Sequence, residues 1–148
     1  MEIFINSDGD IVLKKYSPIF DLKNFADDVC QSITDITESS VFICDLEKVI
    51  AVANASKIQY KNKIISSELE EYINQRKVYI GNVKNGSNIS KLLYEELNVQ
   101  YSAEIIVPLI FDGDVMGAIV LFRKEGDLSV TDVDILKVFA NFIARQMS

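Results

Sequence analysis

Three short pieces decide the fold: Ile105-Ile106-Val107-Pro108-Leu109-Ile110, then Asp112-Gly113, then Gly117-Ala118-Ile119-Val120-Leu121-Phe122. Two apolar runs of strand length flank a dipeptide that accepts φ > 0, which is the signature of a tight hairpin. Ser129 and Thr131 then offer N-caps for a helix that reads from Asp132 to Met147. At 1.5 Å per residue this helix is about 24 Å long. Leu136, Phe139, Ala140, Ile143 and Met147 form one apolar stripe, and Ile135, Val138 and Phe142 widen it beyond an ordinary core-facing face. One side of such a helix covers the sheet. The other wants a second partner, most simply another copy of the chain, which makes Ile135, Val138 and Phe142 the candidate oligomer interface. The alternative is a helix sandwiched within its own domain.

Upstream, Glu2-Ile3-Phe4-Ile5 and Ile11-Val12-Leu13-Lys14 read as a hairpin about Asp8-Gly9. A two-stranded hairpin is marginal in water on its own, so this one needs a partner. Ser17-Pro18 ends the extended stretch. Leu22, Phe25, Ala26, Val29, Cys30, Ile33 and Ile36 recur at helical spacing and predict a helix from Phe20 to Ile36. Strands follow at Val41–Cys44 and Val49–Ala53, joined by the loop Asp45-Leu46-Glu47-Lys48. Asn54 to Asn62 reads as polar and irregular, Ser67 to Gln75 as a short capped helix, and Val78-Tyr79-Ile80 as a strand. Gly81 to Ser90 carries the turn-forming residues of a loop, and Lys91 to Leu97 reads as a short helix. An irregular insertion within a strand series is either a binding loop or a mobile surface loop.

The chain has 148 residues, enough for one domain with a core of its own. Its formal net charge of −7 repels phosphate backbones and argues against direct nucleic-acid binding. No opening signal peptide and no membrane-length apolar run is legible, so the expected location is cytoplasmic and no membrane partner is expected. The sequons at Asn54 and Asn88 then carry no meaning.

Histidine is absent, which removes His-based acid–base chemistry, Ser–His–Asp and Cys–His pairs, and the commonest zinc ligand. Cys30 and Cys44 read as small buried hydrophobes rather than a bridge. Asp8-Gly9-Asp10 and Asp112-Gly113-Asp114 lack the alternating oxygens of a calcium loop and are explained by turn chemistry. No Gly-rich segment ends in Gly-Lys-Ser/Thr, so no phosphate loop is expected. No metal and no cofactor is assigned. The acids read as a solvated surface. Five tyrosines, Tyr60, Tyr72, Tyr79, Tyr94 and Tyr101, gather in the middle third, where a flat body with a polar tip suits a small-molecule pocket or ordinary rim packing.

The element order, with Val107-Pro108-Leu109-Ile110, Asp112-Gly113, Gly117-Ala118-Ile119-Val120-Leu121 and Thr131-Asp132, resembles a GAF domain. The resemblance implies an α+β fold, a GAF-like antiparallel sheet flanked by helices. The residues from Glu2 to Ile19 look like the end of an AbrB-type swapped-hairpin DNA-binding domain and its junction to the next domain. Ser40-Val41-Phe42-Ile43-Cys44-Asp45, Ile50-Ala51-Val52 and Phe142-Ile143-Ala144-Arg145-Gln146-Met147 fit the same AbrB-type/GAF family of sporulation transcription regulators. On that resemblance residues 1–16 are a remnant of the DNA-binding domain, an N-terminal leftover β-hairpin, and residues 17–148 are the GAF-like regulatory domain. The basic, DNA-contacting half of the first domain is then missing, so DNA is reached only through it.

The resemblance also implies a homo-oligomer assembled through its GAF domains, with an unidentified small-molecule effector. Phe42 and Cys44 on the first sheet strand and Tyr79, Tyr94 and Tyr101 around the variable loop are the candidate pocket. Two alternatives stand beside this regulatory reading. One is a purely structural dimerisation module with a filled pocket. The other is a GAF-type methionine sulfoxide reductase, which uses several close cysteines and fits poorly here with two in apolar surroundings. The Cys-His of bilin attachment is absent, and Asn62-Lys63 is not followed by the rest of the cyclic-nucleotide signature.

Overall fold

The computed structural model describes residues 3–5, 11–13, 18–86, 89–95, 97 and 101–146, with side chains from Phe25 onward apart from Asn85. Strands β1 (Ile3–Ile5) and β2 (Ile11–Leu13) pair antiparallel, with Phe4 opposite Val12. The Asp8-Gly9 turn lies outside the described residues. Helix α1 (Pro18–Thr37) begins at Pro18, two residues before the predicted start; proline suits a first helical turn, where its missing N–H goes unused.

A second sheet carries the rest. It is built from β3 (Ser40–Cys44), β4 (Val49–Ala53), β5 (Tyr79–Asn82), β6 (Ala103–Phe111) and β7 (Asp114–Arg123), all antiparallel, in the order β4-β3-β7-β6-β5. The predicted hairpin therefore supplies the central strand. Its turn is Asp112 and Gly113, at φ 50° and 82°, the two left-handed residues that match the twist of the flanking strands. In the β3–β4 turn the Asp45 carboxylate accepts from the amides of Glu47 and Lys48, both at 2.7 Å, an Asx turn that replaces water as partner for those donors.

Strands β3 and β4 and most of β6 and β7 are buried on both faces, and period-2 alternation divides their side chains between two cores. Val41, Ile43, Ile105, Val107, Leu109, Ile119 and Leu121 face α1 and the C-terminal helix α4 (Val130–Gln146), which contribute Ala26, Val29, Cys30, Ile33, Leu136, Ala140 and Ile143. Phe42, Cys44, Val52, Ile106, Ala118, Val120 and Phe122 face the other way, under α2 (Lys57–Tyr60), α3 (Ser67–Asn74) and the segment that includes Leu92 and Leu93. We call this second side the loop face.

Three local expectations change. Asn54 to Asn62 is not wholly irregular, because Ser56 caps α2 and Tyr60 is buried. Gly81 and Asn82 extend β5, and a single 3₁₀ turn follows at Val83–Asn85. The helix expected over Lys91–Leu97 is not formed by its described residues. Leu93 instead pairs with Ile65, Leu92 accepts from the Ser66 amide at 3.0 Å, and the Tyr94 amide donates to Ile64 at 2.9 Å. Backbone groups satisfied by a neighbouring strand-like segment have no need of a helix. At the C-terminus α4 starts at Val130 with Ser129 as its cap: the Asp132 amide donates to Ser129 Oγ at 3.2 Å, and the Ser129 amide donates to Asp132 Oδ2 at 2.9 Å. Met147 lies outside the described residues.

Candidate functional site

The loop face is built on β3, β6 and β7. Alternation aims Phe42, Glu104, Ile106 and Phe122 at it. Phe42, Tyr60, Phe122 and Tyr101 form one aromatic cluster, with ring centroids 5.8 Å apart for Phe42–Phe122, 5.4 Å for Tyr60–Phe122 and 4.7 Å for Tyr101–Phe122. Tyr79 stacks on Tyr72 of α3 at 4.1 Å, and burial with the hydrogen bond between them pushes its hydroxyl up to about 12.

Glu104 is the outstanding group. It is fully buried within an apolar strand. Its Oε1 accepts from the Ser90 amide at 2.7 Å and from Ser90 Oγ at 2.6 Å, while Oε2 has no partner among the described residues. The Tyr101 hydroxyl is also buried without a partner among the described residues. Burial, opposed by the Ser90 hydrogen bonds and aided by the charge of Glu68, pushes the Glu104 carboxyl up to about 7. Burial and the Glu104 charge push the Tyr101 hydroxyl up to about 12. Beside them the Lys91 amide donates to Glu68 Oε2 at 3.2 Å, so consecutive residues Ser90 and Lys91 hold two carboxylates.

Of the candidate pocket residues, Phe42 and Cys44 lie fully buried on the loop face, and Tyr79 and Tyr101 pack at its rim. Tyr94 stands apart, with its side chain 72% exposed, because its backbone is tied to Ile64 at the surface. The reading of the acids as a solvated surface fails at Glu104. The signal was present: Glu104 continues the apolar alternation of β6, one residue before the predicted strand, and a charged residue inside a doubly buried strand needs a reason.

Both thiols are fully buried. Burial pushes Cys30 well up and Cys44 up to about 12, which removes the thiolate that nucleophilic or redox chemistry needs. Among the described residues no cluster of three or more Cys, Asp or Glu could hold a metal, and no helix is long and apolar enough to cross a membrane.

On the helix face, Ile135 packs against the core, while Val138 is 67% and Phe142 44% exposed. Phe142 meets Phe25 of α1 edge-on at 6.3 Å. An open groove of about 620 Å³ runs past Ser39, Asn54, Phe122 and Arg123, where β3 begins and β4 and β7 end. Its Arg123 is engaged by Ser39, Thr37, Asp127 and Asp132.

The fold is shared widely. The GAF domain of an Acinetobacter phosphoenolpyruvate-protein phosphotransferase superposes with a TM-score of 0.70 at 16% identity, over 90% of this chain and 84% of that one. A type II free methionine-R-sulfoxide reductase from Thermoplasma acidophilum gives 0.64 at 19% identity, over 85% and 94%. The cofactor binding GAF domain of the nutrient sensor CodY from Clostridium difficile gives 0.59 at 17%, over 82% and 83%. At these identities the likeness is one of fold, and the fold is that of a GAF domain. Sequence comparison reaches further. Stage V sporulation protein T of Bacillus subtilis (strain 168) is 35% identical over 147 residues, which cover 99% of this chain and 80% of that protein. The family described as Stage V sporulation protein T C-terminal, transcription factor, matches residues 21–148, and the chain belongs to that family.

Proposed function

We propose that this chain is the sensing and assembly module of a cytoplasmic sporulation transcription regulator, not an enzyme. The loop face takes a small molecule, and α1 with α4 joins copies of the chain. DNA is reached only through an AbrB-type domain, a reading supported by the chain's own charge of −7, which repels phosphate. The observation that carries the reading is the unfinished helical layer: Ile36 is 62%, Val138 67% and Phe142 44% exposed on the two helices that cover one face of the sheet. Exposed apolar side chains on packed helices favour a second copy. Sensing is supported by polar atoms of Glu104 and Tyr101 that have no partner among the described residues, on the other face of the same sheet. Because β3, β6 and β7 feed both cores, an effector that orders one face differently biases the helices on the other. The CodY GAF domain, described as cofactor binding and belonging to a nutrient sensor, is a precedent for that use of the fold.

The packed rings of Phe42, Tyr60, Phe122 and Tyr101 favour a second reading, a structural dimerisation module with no ligand. Native mass spectrometry separates the two, since it reports subunit number and retained small molecules together. The proposal expects an oligomer that Val138→Glu with Phe142→Glu converts to monomer, and a thermal shift from at least one metabolite in a panel. A monomeric unsubstituted chain removes the assembly half. A stable oligomer with no metabolite response leaves the structural reading in its place.

A further inference from the structure

Glu104 presents a half-used carboxylate. Ser90 satisfies Oε1 twice, but both donors are neutral, so among the described residues no donor to Glu104 carries a countercharge. None of the ion pairs among the described residues includes Glu104. Residues 85–100 contain a single cation, Lys91, and its side chain is exposed. Glu68 adds a second negative charge close enough to act on Glu104, and the Tyr101 hydroxyl, which Glu104 in turn acts on, adds a second oxygen without a partner among the described residues. A buried acceptor without a donor costs free energy, more so when charged. Flat apolar rings pack nearby: the Tyr101 and Phe122 ring centroids lie 4.7 Å apart, and Tyr79 stacks on Tyr72.

We propose that Glu104 and Tyr101 are the head-group site for a primary amine with an apolar body, whose ammonium donates to Glu104 Oε2 and Tyr101 Oη. An ammonium has three donors and one positive charge, which answers both the missing hydrogen bonds and the missing countercharge. An alcohol of the same shape supplies a donor without the charge. An anion or a nucleotide would face two carboxylates. Ser90 and Lys91 run beside this carboxylate, held by their bonds to Glu104 and Glu68 and by the Ser66 hydroxyl donating to the Lys91 carbonyl. This inference rests on the reading of the loop face as a sensing face.

The test is calorimetric and thermal-shift titration of the full chain with matched pairs, 2-phenylethylamine against 2-phenylethanol and n-butylamine against n-butanol. The amines are expected to bind at least about tenfold more tightly, the value of one pKa unit of differential interaction. Glu104→Gln keeps the side-chain shape and is expected to abolish that preference, and Tyr101→Phe to reduce it several-fold. In mildly acidic buffer amine binding should also release a proton from Glu104, read as an enthalpy that varies with the buffer's ionisation heat. Equal binding of amine and alcohol, or amine binding unchanged in Glu104→Gln, overturns the assignment. A thermal shift from another metabolite class with none from amines overturns it too and leaves the sensing reading in place. No shift from any compound removes both.

Discussion

Gly117 of β7 runs against the backbone of Cys44 in β3. A Cβ on Gly117 would overlap the Cys44 carbonyl oxygen and stand 2.9 Å from Asp45 Cα. Its φ of 157° sits at the edge of the region that L side chains avoid. Bulges flank the approach in the neighbouring ladders, between Ile43 and Cys44 where β3 pairs β4 and between Leu109 and Ile110 where β6 pairs β7. Gly117→Ala must push two central strands apart. We expect a loss of roughly 3 kcal/mol or more, as for overpacking of a rigid core, measured by urea denaturation. A loss below about 0.5 kcal/mol would show that the strands yield freely.

Arg123 ties the end of β7 to both helices of one layer. Its guanidinium donates to Thr37 O at 3.0 Å and Asp132 Oδ1 at 3.1 Å, and also to Ser39 Oγ and Asp127 O. The pair with Asp132 is mostly buried, with side chains 18% and 9% exposed. Arg123→Ala strands Asp132 and several carbonyls and should cost about 3 kcal/mol. Arg123→Lys should recover only a minor part, since a point charge cannot replace the planar fork. Thermal denaturation of the two variants distinguishes lost geometry from lost charge.

Stability should depend on pH through Glu104. Its carboxyl lies at about 7 in the folded chain against 4.5 for the free group, so the folded state holds the proton more tightly. The contribution is fully present below about pH 4.5 and is lost as pH rises through about 7. Over that window the loss is at most roughly 3 kcal/mol. Glu104→Gln should flatten the dependence and make the variant the more stable protein in alkaline buffer. Equal pH profiles for the two proteins would exclude Glu104 as the source.

Neither cysteine should react while the chain is folded. Cys30 and Cys44 are both fully buried, and burial pushes Cys44 up to about 12. Iodoacetamide should modify neither thiol in native buffer and both in denaturant, as read by intact mass. Rapid native labelling at Cys44 would restore the case for thiol chemistry on this fold.

Much of the architecture was legible because local signals agreed with one another. Asp112-Gly113 sets the hairpin, helical spacing from Phe25 to Ile33 sets α1, and Ser129 with Asp132 sets the start of α4. The missed helix over Lys91–Leu97 shows where that agreement ends, since Ile65 and Leu93 pair across residues far apart in sequence. No local propensity records such a pairing.

The candidate site followed the same division. Residue pattern alone places Phe42 and Cys44 together on the first sheet strand, and composition alone removes histidine chemistry and phosphate loops. Packing between distant segments selects which tyrosine stays outside, Tyr94, and which acid goes inside, Glu104. The reason is physical. Alternation along a strand fixes which face a residue takes, but whether that face is covered depends on β5, α3 and Ser90, which reach it from elsewhere in the chain.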